Sequence, residues 1–125
     1  MERKILGKAA GSYSLGVSAP AGRLIFISGM VALDEAGEVI GPGDMEAQTR
    51  SVFQQIGALL QEAGASMKDV VKITTFVTDM SQYGKFAAAR KEVFAPGPYP
   101  ASATVKVSGL VKDGLLVEVE AIAVI

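Results

Sequence analysis

Leu115-Leu116-Val117-Glu118-Val119-Glu120-Ala121-Ile122-Ala123-Val124-Ile125 closes the chain, and its alternation decides how everything before it is read. With the two-residue period of a strand, Val117, Val119, Ala121 and Ala123 fall on one face. Glu118 and Glu120 fall on the other, beside Leu116, Ile122 and Val124. A carboxylate among apolar neighbours must find a partner, face water or take up a proton. One face of this strand therefore reads as core, and the other is both apolar and charged.

Working backwards, Lys112-Asp113-Gly114 reads as a turn, and Ala103 to Ser108 as a strand with Val105 and Val107 opposed to Thr104, Lys106 and Ser108. The last two strands are expected to form an antiparallel hairpin, with Lys106 meeting Glu118 or Glu120 across it. Ala95-Pro96-Gly97-Pro98-Tyr99-Pro100 is neither helix nor central strand, because its prolines remove donors and fix φ. Ser81 can cap a helix whose face carries Tyr83, Phe86, Ala87, Arg90, Val93 and Phe94, and Asp79 reads as a cap or turn residue. Val70 to Thr78 is a strand with Val71, Ile73, Thr75 and Val77 on one side and Lys72, Thr74, Phe76 and Thr78 on the other.

Asp44 is a good N-cap for a long helix, with Met45, Val52, Phe53, Ile56, Leu59, Leu60 and Ala63 on one wide apolar face and Gly64 as its terminating glycine. Gly41-Pro42-Gly43 breaks the chain before it, and Asp34-Glu35-Ala36-Gly37 is a turn signal. Arg23-Leu24-Ile25-Phe26-Ile27-Ser28 is a continuous β-rich run and reads as a strand buried on both faces.

Strands, helix, strand, helix and a strand pair imply an α/β fold of the α+β kind. It is a two-layer sandwich of one mixed sheet with two helices on one face, forming a single domain over residues 1–125. The other sheet face would gather Thr74, Phe76, Thr104, Lys106, Glu118, Glu120, Leu116 and Ile122. That surface is too apolar for water and too charged for a monomer's core, so burial against other copies of the chain is expected.

Composition removes whole classes of chemistry. The 125 residues include no His and no Cys, so imidazole triads, thiolate catalysis, disulfides and zinc–thiolate sites are out. Twelve Lys and Arg against 13 acids give a net charge of −1, which offers no general attraction to nucleic acid or acidic membranes. No apolar run approaches the ~20 residues that span a bilayer, and Met1 to Lys8 does not read as a signal peptide. A cytoplasmic protein with no membrane or nucleic-acid partner is expected. Acid–base work must come from Glu, Asp, Lys, Tyr or a held water.

At this point the sequence resembles the Rid family (reactive intermediate deaminases, also called YjgF-like or L-PSP endoribonuclease-like proteins). The resemblance covers nearly the whole chain. Its carriers are Ser12-Tyr13-Ser14, Leu24 to Gly29, Gln48-Thr49-Arg50, Glu62-Ala63-Gly64-Ala65, Asp69 to Asp79, Pro100-Ala101 and Val117 to Ala123. It implies a chorismate-mutase-like fold and a homotrimer whose small-molecule ligand sits in clefts between subunits. It also implies hydrolysis of reactive enamines or imines to a ketone plus ammonia, with neither metal nor organic cofactor. The alternative is a small-molecule-binding trimer of the same fold without the chemistry. RNA cleavage has little behind it, since there is no basic stripe.

By that resemblance Glu120 holds the attacking water and Tyr13 lines the cleft, while Ser28-Gly29 matches the family's Ser-Gly pair. Glu118 reads instead as pairing with Lys106 or meeting a subunit contact. The family's cleft arginine does not carry over: its Pro-Ala-Arg-Ser stretch is Pro100-Ala101-Ser102-Ala103 here. Met30 stands where a Gln often follows Ser-Gly, Ala87 where an Asn is common, and Arg90 where an aromatic is common. An unpaired carboxylate in such a site would cost about 2–5 kcal/mol, so a ligand other than a simple 2-imino acid is expected. Ser102, Ala103 and Thr104 remain candidate ligand contacts through side chain or backbone. Arg90 is a candidate replacement cation, its alternative being a solvated stem over an apolar patch.

Overall fold

The computed structural model describes residues 3–8, 10–20 and 22–125. A small antiparallel pair, β1 (Lys4–Leu6) and β2 (Gly16–Ser18), precedes the main body. The main sheet is built from β3 (Leu24–Val31), β4 (Val70–Val77), β5 (Ala101–Lys106) and β6 (Val117–Val124), with helices α1 (Met45–Glu62) and α2 (Tyr83–Phe94). Strand order is β3-β6-β4-β5. β6 runs antiparallel to both neighbours, and β5 runs parallel to β4. Two helices packed on one face of a mixed sheet give the α+β sandwich expected from the sequence.

The closing strand behaves as its alternation requires. Val117, Val119, Ala121 and Ala123 are buried against the helices, while Glu118, Glu120 and Ile122 occupy the opposite, open face. Its pairing is not the expected one. β5 and β6 form no hairpin, because β4, α2 and β5 make a strand–helix–strand crossover, and such a crossover joins parallel strands. That leaves β6 to fill the slot between β3 and β4. Lys106 accordingly makes no ion pair with Glu118 or Glu120 among the described residues.

The same pairing corrects the face of β5. Thr104 lies in register with buried Thr75 and Lys106 with buried Val77, so both sit on the helix side. Ala103 and Val105, in register with Thr74 and Phe76, take the open face instead. On β4 the register slips between Val70 and Lys72, which buries Val70 rather than Val71. β3 is an edge strand and is not covered on both sides. Ile27 is buried, but Phe26 is 69% exposed and Leu24 is 54% exposed in the single chain.

α1 begins where Asp44 accepts a hydrogen bond from Ala47 N at 3.0 Å and ends before Gly64, whose φ of +78° suits glycine. Val52, Phe53, Ile56 and Leu60 point into the core, each contributing about 1.5–3 kcal/mol by leaving water. Gln48 is fully buried and fully bonded: Nε2 donates to Gly41 O and Gly114 O, and Oε1 accepts from Leu116 N. Ser81 is not the cap of α2 itself. Asp79 accepts from Ser81 N at 3.0 Å and caps a 3-10 turn over Met80–Gln82 that leads into the helix. Phe53 packs on Phe86 and Phe94, with ring centroids 6.2 and 5.4 Å away, and ties the helices together.

Candidate functional site

Arg90 lies one turn beyond Phe86 and two beyond Tyr83 on α2, so all three share one helix face. The residue is 2% exposed. Its guanidinium lies 5.2 Å from the ring centre of Tyr13, 5.7 Å from Tyr83 and 5.2 Å from Phe86. Nε and Nη2 donate to Ser12 Oγ at 2.9 and 2.8 Å, Nη2 to Tyr83 Oη at 3.1 Å, and Nη1 to Ser102 Oγ at 3.2 Å. Ser12 and Tyr13 reach this position because the next residue is stitched to β5: Ser14 N donates to Pro100 O at 2.9 Å and Ser14 bridges Ala101.

A cavity of about 290 Å³ opens over this cluster, lined by Tyr13, Met80, Tyr83, Arg90, Ser102 and Thr104. Thr104 Oγ1 is buried there with no hydrogen-bond partner. No carboxylate lies within ion-pair distance of Arg90 among the described residues. Arg90 is thus a buried cation in a cavity wall, not a solvated stem. It also brings a guanidinium to the uncharged position 102.

A second group gathers on the open face. Ser28 and Gly29 fall where the β3–β6 register slips between Ile27 and Met30, so they stand outside the regular ladder. Bulges of this kind re-aim groups beside functional sites. The half-buried Glu118 lays its carboxylate over Gly29: a Cβ there would come within 2.7 Å of Glu118 Cδ. Glu120 is exposed and lies in register with Thr74, which in turn is in register with Ala103. Lys72 does not neutralise it, since its Nζ donates to Ile73 O at 2.9 Å and Thr74 Oγ1 at 3.2 Å.

The structure therefore brings Tyr13, Arg90, Ser102 and Thr104 together on the helix side. Ser28, Gly29, Ala103 and Glu120 lie on the open side. Sequence reasoning passed over Ser12, Met80 and Tyr83 as cavity residues, and of its two readings of Glu118, a pair with Lys106 or a subunit contact, the first is not formed among the described residues. The seven-residue spacing of Tyr83 and Arg90 was a usable signal. Among the described residues no helix is long and apolar enough to cross a membrane.

Two helices packed on one face of a mixed sheet make the α+β fold seen in small Rid-type domains. The family model described as "Endoribonuclease L-PSP" matches residues 3–125. A RutC family protein of Pyrococcus abyssi is 41% identical over 117 residues, covering 93% of this chain and 88% of the relative. Among solved structures, YyfB of Yersinia pestis, of the conserved Rid protein family, superposes with a TM-score of 0.90 at 28% identity over 100% of both chains. TdcF of E. coli with bound serine gives 0.75 at 30% identity over 98% of each. The chain belongs to the Rid (YjgF, L-PSP) family.

Proposed function

We propose that this chain hydrolyses reactive enamines or imines to a ketone and ammonia, in clefts shared between copies of the chain in a homotrimer. The observation that carries the proposal is the Glu118 carboxylate lodged over Gly29 on an open sheet face, with no lysine neutralising it among the described residues. This geometry favours Glu118 over Glu120 as the group that holds water. Glu118 is half-buried against a bulge, whereas Glu120 is exposed.

In the proposed step the carboxylate accepts a hydrogen bond from water and takes its proton as oxygen bonds to the imine carbon. The same proton passes to nitrogen, giving a carbinolamine. Its hydroxyl then yields its own proton, relayed through the carboxylate to nitrogen, as the carbon–nitrogen bond breaks, expelling ammonia and leaving the ketone. An enamine first takes a proton at carbon and gives one up from nitrogen to become the imine. No electrons are exchanged with an external acceptor, so the balance closes with water alone.

The placement of Arg90 and Glu118 supports sharing between copies. Arg90 and Glu118 lie on opposite sides of one sheet, so a cleft using both needs one from each of two protomers. The solved structure of the relative TdcF holds serine, a small amino acid, and a ligand of that size suits a 290 Å³ cavity. The expectation of a ligand other than a simple 2-imino acid rests on the uncharged Ser102. Arg90 Nη1, 3.2 Å from its hydroxyl, places a cation beside that position and favours an acidic substrate instead.

The test is hydrolysis of freshly generated 2-iminopropionate and of an uncharged enamine, followed by absorbance, with wild type, Glu118→Gln and Glu120→Gln. Wild-type turnover that falls about 10²-fold or more in Glu118→Gln, and less in Glu120→Gln, supports the reading. Turnover of neither substrate, with ligand binding intact, assigns the non-catalytic binding trimer instead.

A further inference from the structure

We propose that the N-terminal hairpin is a strap that opens and closes beside Arg90, and that Arg3 is the latch that holds it shut. Arg3 is thereby a positioning residue for Ser12 and Tyr13. Its effect on turnover rests on the hydrolase reading above; the latch itself does not.

Little apolar packing holds this hairpin down. β1 and β2 pair with each other as a separate sheet. Among the described residues the hairpin meets the main sheet at one isolated bridge, Ser14 to Ala101. Ile5, Leu6 and Leu15 stay exposed. A lone two-stranded hairpin is marginal in water. Beneath it lies a cavity of about 200 Å³, with Ile5 and Tyr13 on one side and Pro96 and Tyr99 on the other. Such a gap forfeits dispersion contacts between the two sides. Segments with few buried apolar contacts open locally at low cost.

Polar stitches do the holding. Arg3 Nη1 donates to Val70 O at 2.7 Å and Nη2 to Pro98 O at 2.8 Å, so one guanidinium fork spans the head of β4 and the proline-rich segment before β5. Ser14 grips the same segment, N donating to Pro100 O at 2.9 Å and Oγ to Tyr99 O. Ser12 and Tyr13 lie between these two attachments, just after Gly11, whose φ of +76° bends the chain where a side chain would meet nothing. Ser12 Oγ accepts from two Arg90 nitrogens, and the Tyr13 ring walls both this cavity and the one over Arg90. When the strap lifts, Arg90 loses that acceptor and that ring together.

The latch is poised, not locked. Arg3 Nε is buried with no acceptor, a cost that opening to water relieves. No carboxylate lies within ion-pair distance of Arg3 among the described residues, so its two bonds to carbonyls carry the closed state.

The test compares wild type, Arg3→Gln and Arg3→Lys by amide hydrogen exchange, by NMR exchange of the Arg90 Nε–H with water, and by hydrolysis kinetics. In Arg3→Gln, β1 and β2 are expected to exchange about 10-fold faster or more, with α1 and β6 unchanged. The Arg90 Nε–H is expected to exchange faster by a similar factor, because Ser12 Oγ leaves with the strap. Arg3→Lys keeps the charge but loses the fork, and is expected to fall between the two. A strap closed about one-tenth of the time raises KM about 10-fold and leaves kcat within about 2-fold, since only the closed form binds substrate.

Wild-type exchange in the hairpin of Arg3→Gln overturns the proposal. So does faster exchange spread equally over α1 and β6, an unchanged Arg90 Nε–H, or a fall in kcat at constant KM. Where Arg3→Gln does not fold, a wild-type hairpin that exchanges no faster than α1 overturns the strap. A wild type that turns over neither substrate removes the hydrolase reading and leaves the two exchange measurements to decide the latch.

Discussion

The carboxylate of Glu118 occupies the space that a side chain at Gly29 would fill. Gly29 has no positive φ, so its backbone would accept alanine; what alanine meets is the Glu118 side chain from Cγ outwards. Gly29→Ala is therefore expected to change unfolding free energy by no more than about 1 kcal/mol while lowering turnover by roughly 10–100-fold through a displaced carboxylate. Urea unfolding and steady-state kinetics on the same preparation check it. Wild-type turnover in Gly29→Ala would mean that the position of Glu118 does not matter.

Phe26 is 69% exposed and lies in register with Ile122 on the open face. Burial of that face against other copies predicts that Phe26→Asp releases single chains without unfolding them. Light scattering behind size exclusion would show a multiple of the chain mass for wild type and one chain mass for the variant. A wild type that runs as a single chain would end the shared-cleft reading.

Gln48 joins α1 to Gly41, Gly114 and Leu116 through three hydrogen bonds. Gln48→Ala opens a cavity and leaves a buried N–H and two carbonyls short of partners. The expected loss is about 2–4 kcal/mol of unfolding free energy, measured by chemical denaturation. A loss below about 1 kcal/mol would mean that water or local collapse replaces all three bonds.

Hydrogen bonds from Ser81 and Gln82 hold the Asp79 carboxyl below its ordinary value of 3.8. A depressed folded-state value means that this carboxylate stabilises the fold above the unfolded-state value. The contribution fades as pH falls through the lower folded-state one. The stability difference between wild type and Asp79→Asn is thus expected to be constant near neutral pH and to shrink below about 3.8. Thermal unfolding of both proteins across that range checks the sign.

How much of this was legible in the chain depended on whether the signal was local. The alternation of Val117 to Val124 fixed which side of β6 is core, because a pleated strand allows only one assignment of faces. The partner of β6 was not legible in the same way. Lys112-Asp113-Gly114 looks like a hairpin turn, yet pairing is set by which strands remain unfilled after β4, α2 and β5 close their crossover. That crossover was itself readable, since a helix between two strands calls for parallel pairing, and giving it precedence over the turn would have placed β5 correctly.

The candidate site divided along the same line. Tyr13, Ser28, Gly29 and Ser102 stood out by motif, but their arrangement into two groups depends on register. Arg90 reads as surface by residue type. Only its place on the Tyr83–Phe86 stripe hints that it turns inward. One of the two readings of Glu118, an ion pair with Lys106, arose because Lys106 was assigned to the neighbouring strand. Once β4 separates β5 from β6, that pairing has no geometry to support it.

The opposition of Arg90 and Glu118 across one sheet has a genetic consequence under the shared-cleft proposal. A subunit damaged only at position 90 and another damaged only at position 118 would then each retain the half that the other lacks. Mixed and reassembled, two inactive proteins should yield hybrid particles in which some clefts hold an intact pair, so activity reappears from parents that have none.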